Sequence, residues 1–363
     1  MNQETNVQEK EARVRQPWTA QRVGDILLNN ALLIIMAIAV VYIAIKNPNF
    51  IKPASLINIL SQTAAYLPAA LGIGGCIVLT GTDLSAGRAV GITACFSASL
   101  LQNAANMANK MWPQIGTLPI PVVIVLAMLI GAAIGCFNGF LVAKLNIQPM
   151  VATLIMFTAG RGIAQLITDG QITYVRVDSY RTLGASLPGF PVPTPFIVAV
   201  VVVALTSLLL KKTALGMYIQ SVGINKRASQ LVGIKSVMII FLTYAYCGLC
   251  SGLSGLIASS RIYSADANNI GLNMELDAIL AVAIGGNSLG GGKFSLAGSI
   301  IGAYTIQALT TTLYAMHVSS DQVPVYKAIV VVIIVALQSP GFARWRKSLA
   351  QKKELGAAGK EAA

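Results

Sequence analysis

The chain has 363 residues and a net charge of +13, with 55% apolar and only 11% charged residues. Soluble domains carry roughly 25% charged residues, so a soluble protein of this composition would need an implausibly large core. The positive charge then reflects membrane topology and attraction to anionic lipid. It is not a nucleic-acid footprint, because no soluble domain carries one.

In chain order, residues 1–25 are polar and of mixed charge, and the apolar stretch after them lacks a small-residue cleavage site. They read as a cytoplasmic tail before a retained first span. A helix needs about 20 apolar residues to cross the hydrocarbon core. Runs of that kind predict ten spans, at 26–45, 60–80, 86–106, 120–143, 149–168, 193–210, 236–259, 272–287, 293–314 and 323–339. The eighth and tenth are short. Continuous apolar runs, as against short alternating strands, exclude a β-barrel. The expected fold is an all-α polytopic membrane protein, with a transmembrane region at 26–340 and a basic tail at 341–363.

With the N-terminus inside, cytoplasmic segments hold 18 basic residues and the outer loops hold 6, namely Lys46, Lys52, Lys110, Arg176, Arg181 and Arg261. By the positive-inside bias, both tails lie in the cytoplasm. Arg161 and Lys327 fall within spans. The long outer segment 169–192 is polar and carries Pro188 and Pro191, with Pro193 just after it; it reads as a cover over the outer mouth.

Small residues recur at four-residue spacing: Gly131, Gly135 and Gly139; Gly248 and Gly252; Gly298 and Gly302. Such ridges let helix backbones approach closely in lipid. Two polar, glycine-bearing stretches read as interrupted helices, one from Thr80 to Arg88 and the other from Gly285 to Lys293. Their similar composition is compatible with two related halves. The five cysteines all fall within spans, and Cys247-x-x-Cys250 reads as helix packing, not as a redox or metal motif.

Nothing in the chain assembles a reactive constellation. His317, the one histidine, sits near a span end, and no cluster has metal-ligand spacing. Gly292-Lys293-Phe294 fails as a phosphate loop, because Asn287 holds the first glycine position and Phe294 replaces the hydroxyl that would hold magnesium. No catalytic residue, metal or cofactor is expected, and the chain is not expected to be an enzyme. The spans instead hold neutral hydrogen-bonding groups. Gln62, Asn138, Thr153 and Gln165 are candidates for a translocation path, together with Arg161 inside the fifth span and Asp83 and Asn287 in the two breaks. A weakly polar path suits a neutral polyhydroxylated solute; each residue taken singly also reads as interhelical glue. Arg161 either lines a water-filled cavity or snorkels to the interface.

The segment 211–235 is polar, basic and free of acidic residues, in a chain otherwise mostly apolar. A short hairpin would join two spans with less backbone to satisfy, so this segment reads as a platform for a cytoplasmic partner. Asn225 is placed to cap a short helix from Lys226 through Val232, and Gly233 to end it in a left-handed turn. Ala228, Leu231 and Val232 fall on one face, with Lys226, Arg227 and Gln230 elsewhere. Two turns are too short to stand alone in water, so this helix needs a groove to lie in.

The chain resembles the permease subunits of bacterial ABC importers for monosaccharides, the ribose, xylose, galactose and galactofuranose group. GTDLSAGR (81–88) is similar to galactose-type members. NIQPMVATLIMFTAGRGIAQLITDGQ (146–171), KTALGMYIQSVGIN (212–225) and SADANNIGLNMELDAILAVAIGGNSLGGGKF (264–294) resemble galactofuranose-type members. The resemblance implies a pore of two permease chains, identical or related, in the bacterial inner membrane. It implies a sugar-binding protein outside, ATPase subunits inside, and hydrolysis on those separate chains. The family's coupling helix falls on Asn225 through Gly233. Its usual Glu-Ala-Ala falls on Lys226, Arg227 and Ala228, so the first position is reversed in charge and only the last alanine is kept. The competing readings are a permease of the same architecture for a nucleoside or branched-chain amino acid, and a secondary or passive transporter.

Overall fold

A computed structural model describes residues 41, 44–45, 52–102, 114–116, 118–175, 177–186, 189 and 192–338. The predicted first span falls almost wholly outside these residues. So do the two tails, Arg176, Pro188 and Pro191.

Residues 43–319 form one compact unit that holds eleven of the described helices. These are α1 (Pro53–Val78), α2 (Ala86–Leu100), α3 (Ile120–Ala143), α4 (Pro149–Thr168), α5 (Asp178–Gly184), α6 (Thr194–Lys212), α7 (Ala214–Ile224), α8 (Lys226–Leu231), α9 (Ser236–Ile262), α10 (Met274–Ile284) and α11 (Leu296–Ala315). The helix α12 (Val323–Gln338) belongs to a second unit and exposes Val325, Ile329 and Val332. Five helices, α1, α3, α4, α6 and α9, are long and apolar enough to cross a membrane. They coincide with the predicted spans at 60–80, 120–143, 149–168, 193–210 and 236–259. The chain is an all-α polytopic membrane protein.

Proline sets several starts. α1, α3, α4 and α6 each carry Pro in their first turn, where the missing N–H is not needed and φ is already helical. Pro68 lies inside α1 and interrupts its hydrogen-bond ladder. Next to it, the Ala69 N–H donates to the Ser254 hydroxyl of α9 at 3.1 Å, so a neighbouring helix satisfies a donor that lipid would not.

α1 and α9 bury most of their length and form the middle of the unit. α3, α4 and α6 instead present Val125, Leu129, Leu154, Ile155, Val201 and Leu205 outward, as helices solvated by lipid do. The glycine ridges meet one another. Gly131 sits on Gly248 and Gly252, and a side chain at Gly248 would strike the backbone of Gly131 and Gly135. Gly298 and Gly302 seat α11 on Gly285 and Ala281 of α10 in the same way. Lipid offers no hydrophobic drive between helices, so close backbone contact supplies the attraction.

Two predicted spans differ in the structure. The span at 86–106 is a helix of 15 residues, about 22 Å long at 1.5 Å per residue. The span at 272–287 is a helix of only 11 residues, about 16 Å long, roughly half the hydrocarbon thickness. The missing half is non-helical: residues 264–273 run beside α2, from Ala265 near its C-terminal end to Gly271 against Gly87 and Val90. Thr173–Tyr174 (β1) and Ser264–Ala265 (β2) pair antiparallel at the mouth of this segment. Such backbone is tolerated at membrane depth where protein surrounds it.

Candidate translocation and coupling sites

α4 carries Thr153, Phe157, Arg161 and Gln165 four residues apart, so they share one face that runs about 18 Å along the helix. Each meets an interrupted element. The Thr153 hydroxyl donates to the Thr82 carbonyl and accepts from the Leu84 N–H, both at 3.2 Å. The Arg88 guanidinium lies over the Phe157 ring, 4.5 Å from its centroid, and the Arg88 stem packs on Gly160. Arg161 donates from Nε and Nη2 to the Asn268 side-chain oxygen at 3.2 and 2.9 Å, and Gln165 donates to the same atom at 2.8 Å. Thr153 and Gln165 are thus brought onto one seam with Arg161, which is exposed and bonds to Asn268. Asn268 was missed in the sequence because its segment was read as a loop.

The first break is tied down by buried polar groups. The Asp83 carboxylate accepts from the Ser85 N–H at 2.9 Å and from its hydroxyl at 2.7 Å, and Asn138 of α3 donates to that hydroxyl at 2.7 Å. Asp83 therefore holds the start of α2, as a short polar side chain does around a helix N-terminus. Cys76, Asp83 and Cys247 bring their ligand atoms within 4.8 Å of one another, all buried. Cys247 of α9 faces Cys76 of α1, and Gly72 of α1 packs on the Cys247 backbone.

Above this break the first turns of α2 and α10 meet. Glu275, 1% exposed, directs its carboxylate at Gly87, where any side chain would collide with it. Both Glu275 carboxylate oxygens, Arg88 Nε, Asn138 Oδ1 and Tyr244 Oη are buried without a hydrogen-bond partner among the described residues. Glu275 and Arg88 fall near the starts of the predicted spans at 272–287 and 86–106; the short α10 and the re-entrant segment before it bring Glu275 against Gly87, next to Arg88.

Two other path candidates lie apart from the seam. Gln62 of α1 donates to Asn58 at 3.2 Å and accepts from Gln307 of α11. Asn287 is 7% exposed; it donates to Val282 O and the Ser299 hydroxyl at 2.9 and 3.0 Å and accepts from the Ser295 N–H. Its side chain stitches the second break.

The connector folds into α7 and α8. Thr213 caps α7, and the Asn225 side chain accepts from the Ala228 N–H at 3.0 Å, capping α8 as its position in the sequence indicated. α8 ends at Leu231 with Val232 as its C-cap, one residue earlier than expected, and Gly233 follows at φ +86°. Leu231 and Val232 are 89% and 77% exposed, and Arg227 and Ala228 are exposed beside them. Lys226 reaches Asn146, in the turn between α3 and α4, at 3.1 Å. Just before α8, Gly223 packs on the Val78 carbonyl and Gly292 on Ile224, while the Gly292 N–H donates to Val78 O at 2.9 Å. The connector and both predicted breaks therefore converge at one end of the unit.

Apolar crossing helices, two helix breaks and the short exposed helix α8 make this the architecture of a polytopic membrane protein. Residues 55–337 match the family model described as branched-chain amino acid transport system / permease component, and the chain belongs to that family. It is 39% identical over 311 residues to the fructose import permease protein of Bifidobacterium longum, covering 85% of this chain and 84% of that one. It is 41% identical over 288 residues to the galactofuranose transporter permease protein of Escherichia coli, covering 79% and 80%. The galactose/methyl galactoside import permease protein of E. coli is 33% identical over 324 residues, covering 88% and 96%. The resemblance to sugar importer permeases read from the motifs is thereby shown. No solved structure matches the chain.

Proposed function

We propose that this chain is the membrane-spanning subunit of an ATP-binding-cassette importer in the bacterial inner membrane, passing a neutral monosaccharide such as galactose or galactofuranose into the cytoplasm. The observation that carries this reading is the outward face of α4, where Thr158, Ala159, Arg161 and Gly162 are exposed midway along an apolar helix. An arginine facing lipid at the helix centre costs about 2.5–3.5 kcal/mol. A second permease chain and the aqueous path between the two remove that cost. Sugar hydroxyls passing along this face would meet Arg161, Gln165 and Thr158, donors and acceptors suited to a neutral polyol.

The unpartnered groups at Glu275, Arg88, Asn138 and Tyr244 support motion at the first break. They lie where the N-terminal turns of two shortened helices meet, the arrangement that transporters place at their sites of alternating access. ATP is hydrolysed on a separate subunit, and a sugar-binding protein delivers the solute from outside. α8 offers that ATPase the exposed Ala228, Leu231 and Val232, flanked by Arg227. Displacement of α8 reaches the breaks through Gly223 and Ile224, which touch Val78 and Gly292 in adjacent positions. The work of hydrolysis then moves backbone that is not locked into a continuous helix.

The test is uptake in liposomes containing the co-purified complex and its binding protein. ATP-dependent accumulation of a radiolabelled hexose, competed by galactose or galactofuranose and not by a nucleoside, is expected. Competition by leucine alone would move the chain to the amino acid branch of the family. Uptake by the permease without nucleotide would make it a passive or secondary transporter.

A further inference from the structure

The corner between α6 and α7 borders an apolar groove of about 220 Å³. Gly216 allows the corner, because a side chain there would overlap the backbone of Leu210. The walls come from Leu71 and Gly75 of α1, Leu210 of α6, Ile219 of α7, Leu242 of α9, and Phe294 from the second break. Three hydroxyl-bearing residues also line the wall, but Thr206 and Tyr246 hydrogen-bond to each other and Thr243 donates to the Ile239 carbonyl at 2.8 Å. The groove therefore offers nothing to a sugar, whose hydroxyls would be buried without partners. It suits a hydrocarbon chain.

Leu210 in that wall is followed directly by Lys211 and Lys212, the last two residues of α6, both exposed and neither paired with a carboxylate among the described residues. The outer face of α6 is apolar, with Val201, Leu205 and Leu208 exposed, and Leu242 in the groove wall is itself 39% exposed, so the groove is open on one side. Two cations at the end of a lipid-facing helix, next to an empty-walled apolar groove, match a molecule with a hydrocarbon tail and an anionic head. We propose that this corner is a binding site for one anionic phospholipid, its acyl chain in the groove and its phosphate at Lys211 and Lys212. The basic pair selects the headgroup and the groove holds the tail. Bound there, the lipid joins α6 and α7 to Phe294, whose ring also rests on Gly74 of α1.

The experiment is native mass spectrometry of the full chain, with its co-purified subunits, released from nanodiscs of equal phosphatidylglycerol and phosphatidylcholine. The wild type should retain one phosphatidylglycerol with at least tenfold preference over phosphatidylcholine. K211A/K212A should cut the preference below threefold. L210W and I219W, which fill the groove from two different helices, should each lose the lipid while eluting as monodisperse protein. The site is refuted if folded L210W or I219W retains phosphatidylglycerol as the wild type does, or if the wild type shows no headgroup preference. It is equally refuted if cysteines placed at 208 and 211 cross-link a second copy of the chain across this corner. None of these readouts depends on sugar uptake, so the transport reading can fail without it.

Discussion

The backbone N–H of Gly292 donates to the carbonyl of Val78 at 2.9 Å, joining the second helix break to the end of α1 where the first begins. Gly292 holds φ +89°, a conformation side chains rarely adopt, and a Cβ there would meet the Ile224 side chain. Gly223 packs on the same Val78 carbonyl. Three segments far apart in sequence meet here without a side chain between them, and one leads directly into α8.

Gly223→Ala places a methyl group on the Val78 carbonyl, and backbone must shift to admit it. Overpacking of this kind costs about 1–3 kcal/mol. The expected result is a lowered thermal midpoint and sugar uptake reduced tenfold or more at equal membrane levels. Gly292→Ala should act in the same direction through its left-handed φ, at roughly 1–2 kcal/mol. Unchanged uptake in both variants would show that the junction transmits nothing.

Arg161→Ala should lower uptake by at least tenfold and leave the thermal midpoint nearly unchanged, because Arg161 is exposed and its bonds to Asn268 are solvent-screened. Arg161→Lys keeps the charge and loses the two-pronged contact with Asn268, so intermediate uptake is expected. Initial-rate uptake at several sugar concentrations decides between a path residue and a passive surface group.

Gly248→Leu tests packing. The side chain would drive into the backbone of Gly131 and Gly135 and separate α9 from α3. The chain should insert but fail to elute as a monodisperse species in detergent. Val125→Leu, on the exposed apolar face of α3, should elute normally.

Tyr180→Phe probes the opposite end of the unit. The buried Tyr180 hydroxyl bonds the Ser259 hydroxyl at 2.6 Å and the Leu256 carbonyl at 3.2 Å, and Ser260 donates back to the Tyr180 carbonyl. Losing the hydroxyl leaves these partners unmatched, at about 1–2 kcal/mol. A lower melting temperature with near-normal uptake is expected, because this tie lies away from the α4 seam.

Long spans were legible in the sequence because length and continuous apolarity are local properties. α3 runs over 120–143 and α4 over 149–168 as read, and the Asn225 cap and Gly233 stop mark α8 to within a residue. Residues 264–273 were not legible in the same way. Ala267, Ile270 and Leu272 are apolar enough to continue toward a span, and only contact with α2 shows that this backbone enters the unit without forming a helix. The seam suffered from the same limit. Thr153, Arg161 and Gln165 stood out as polar residues in apolar runs, whereas Asn268, Arg88 and Glu275 looked like loop or span-end groups. Their role depends on which helices stop short, and that is decided by tertiary packing.

The central claim is that force from a nucleotide-hydrolysing subunit enters at α8. The direct measurement is disulfide cross-linking from Ala228→Cys in the intact complex, read alongside sugar uptake with and without ATP. A cross-link to the ATPase subunit whose yield changes with nucleotide, together with uptake that needs ATP and is lost in Ala228→Trp, is the expected result. Failure to capture any ATPase at position 228, with nucleotide-independent sugar flux that Ala228→Trp leaves intact, would contradict it.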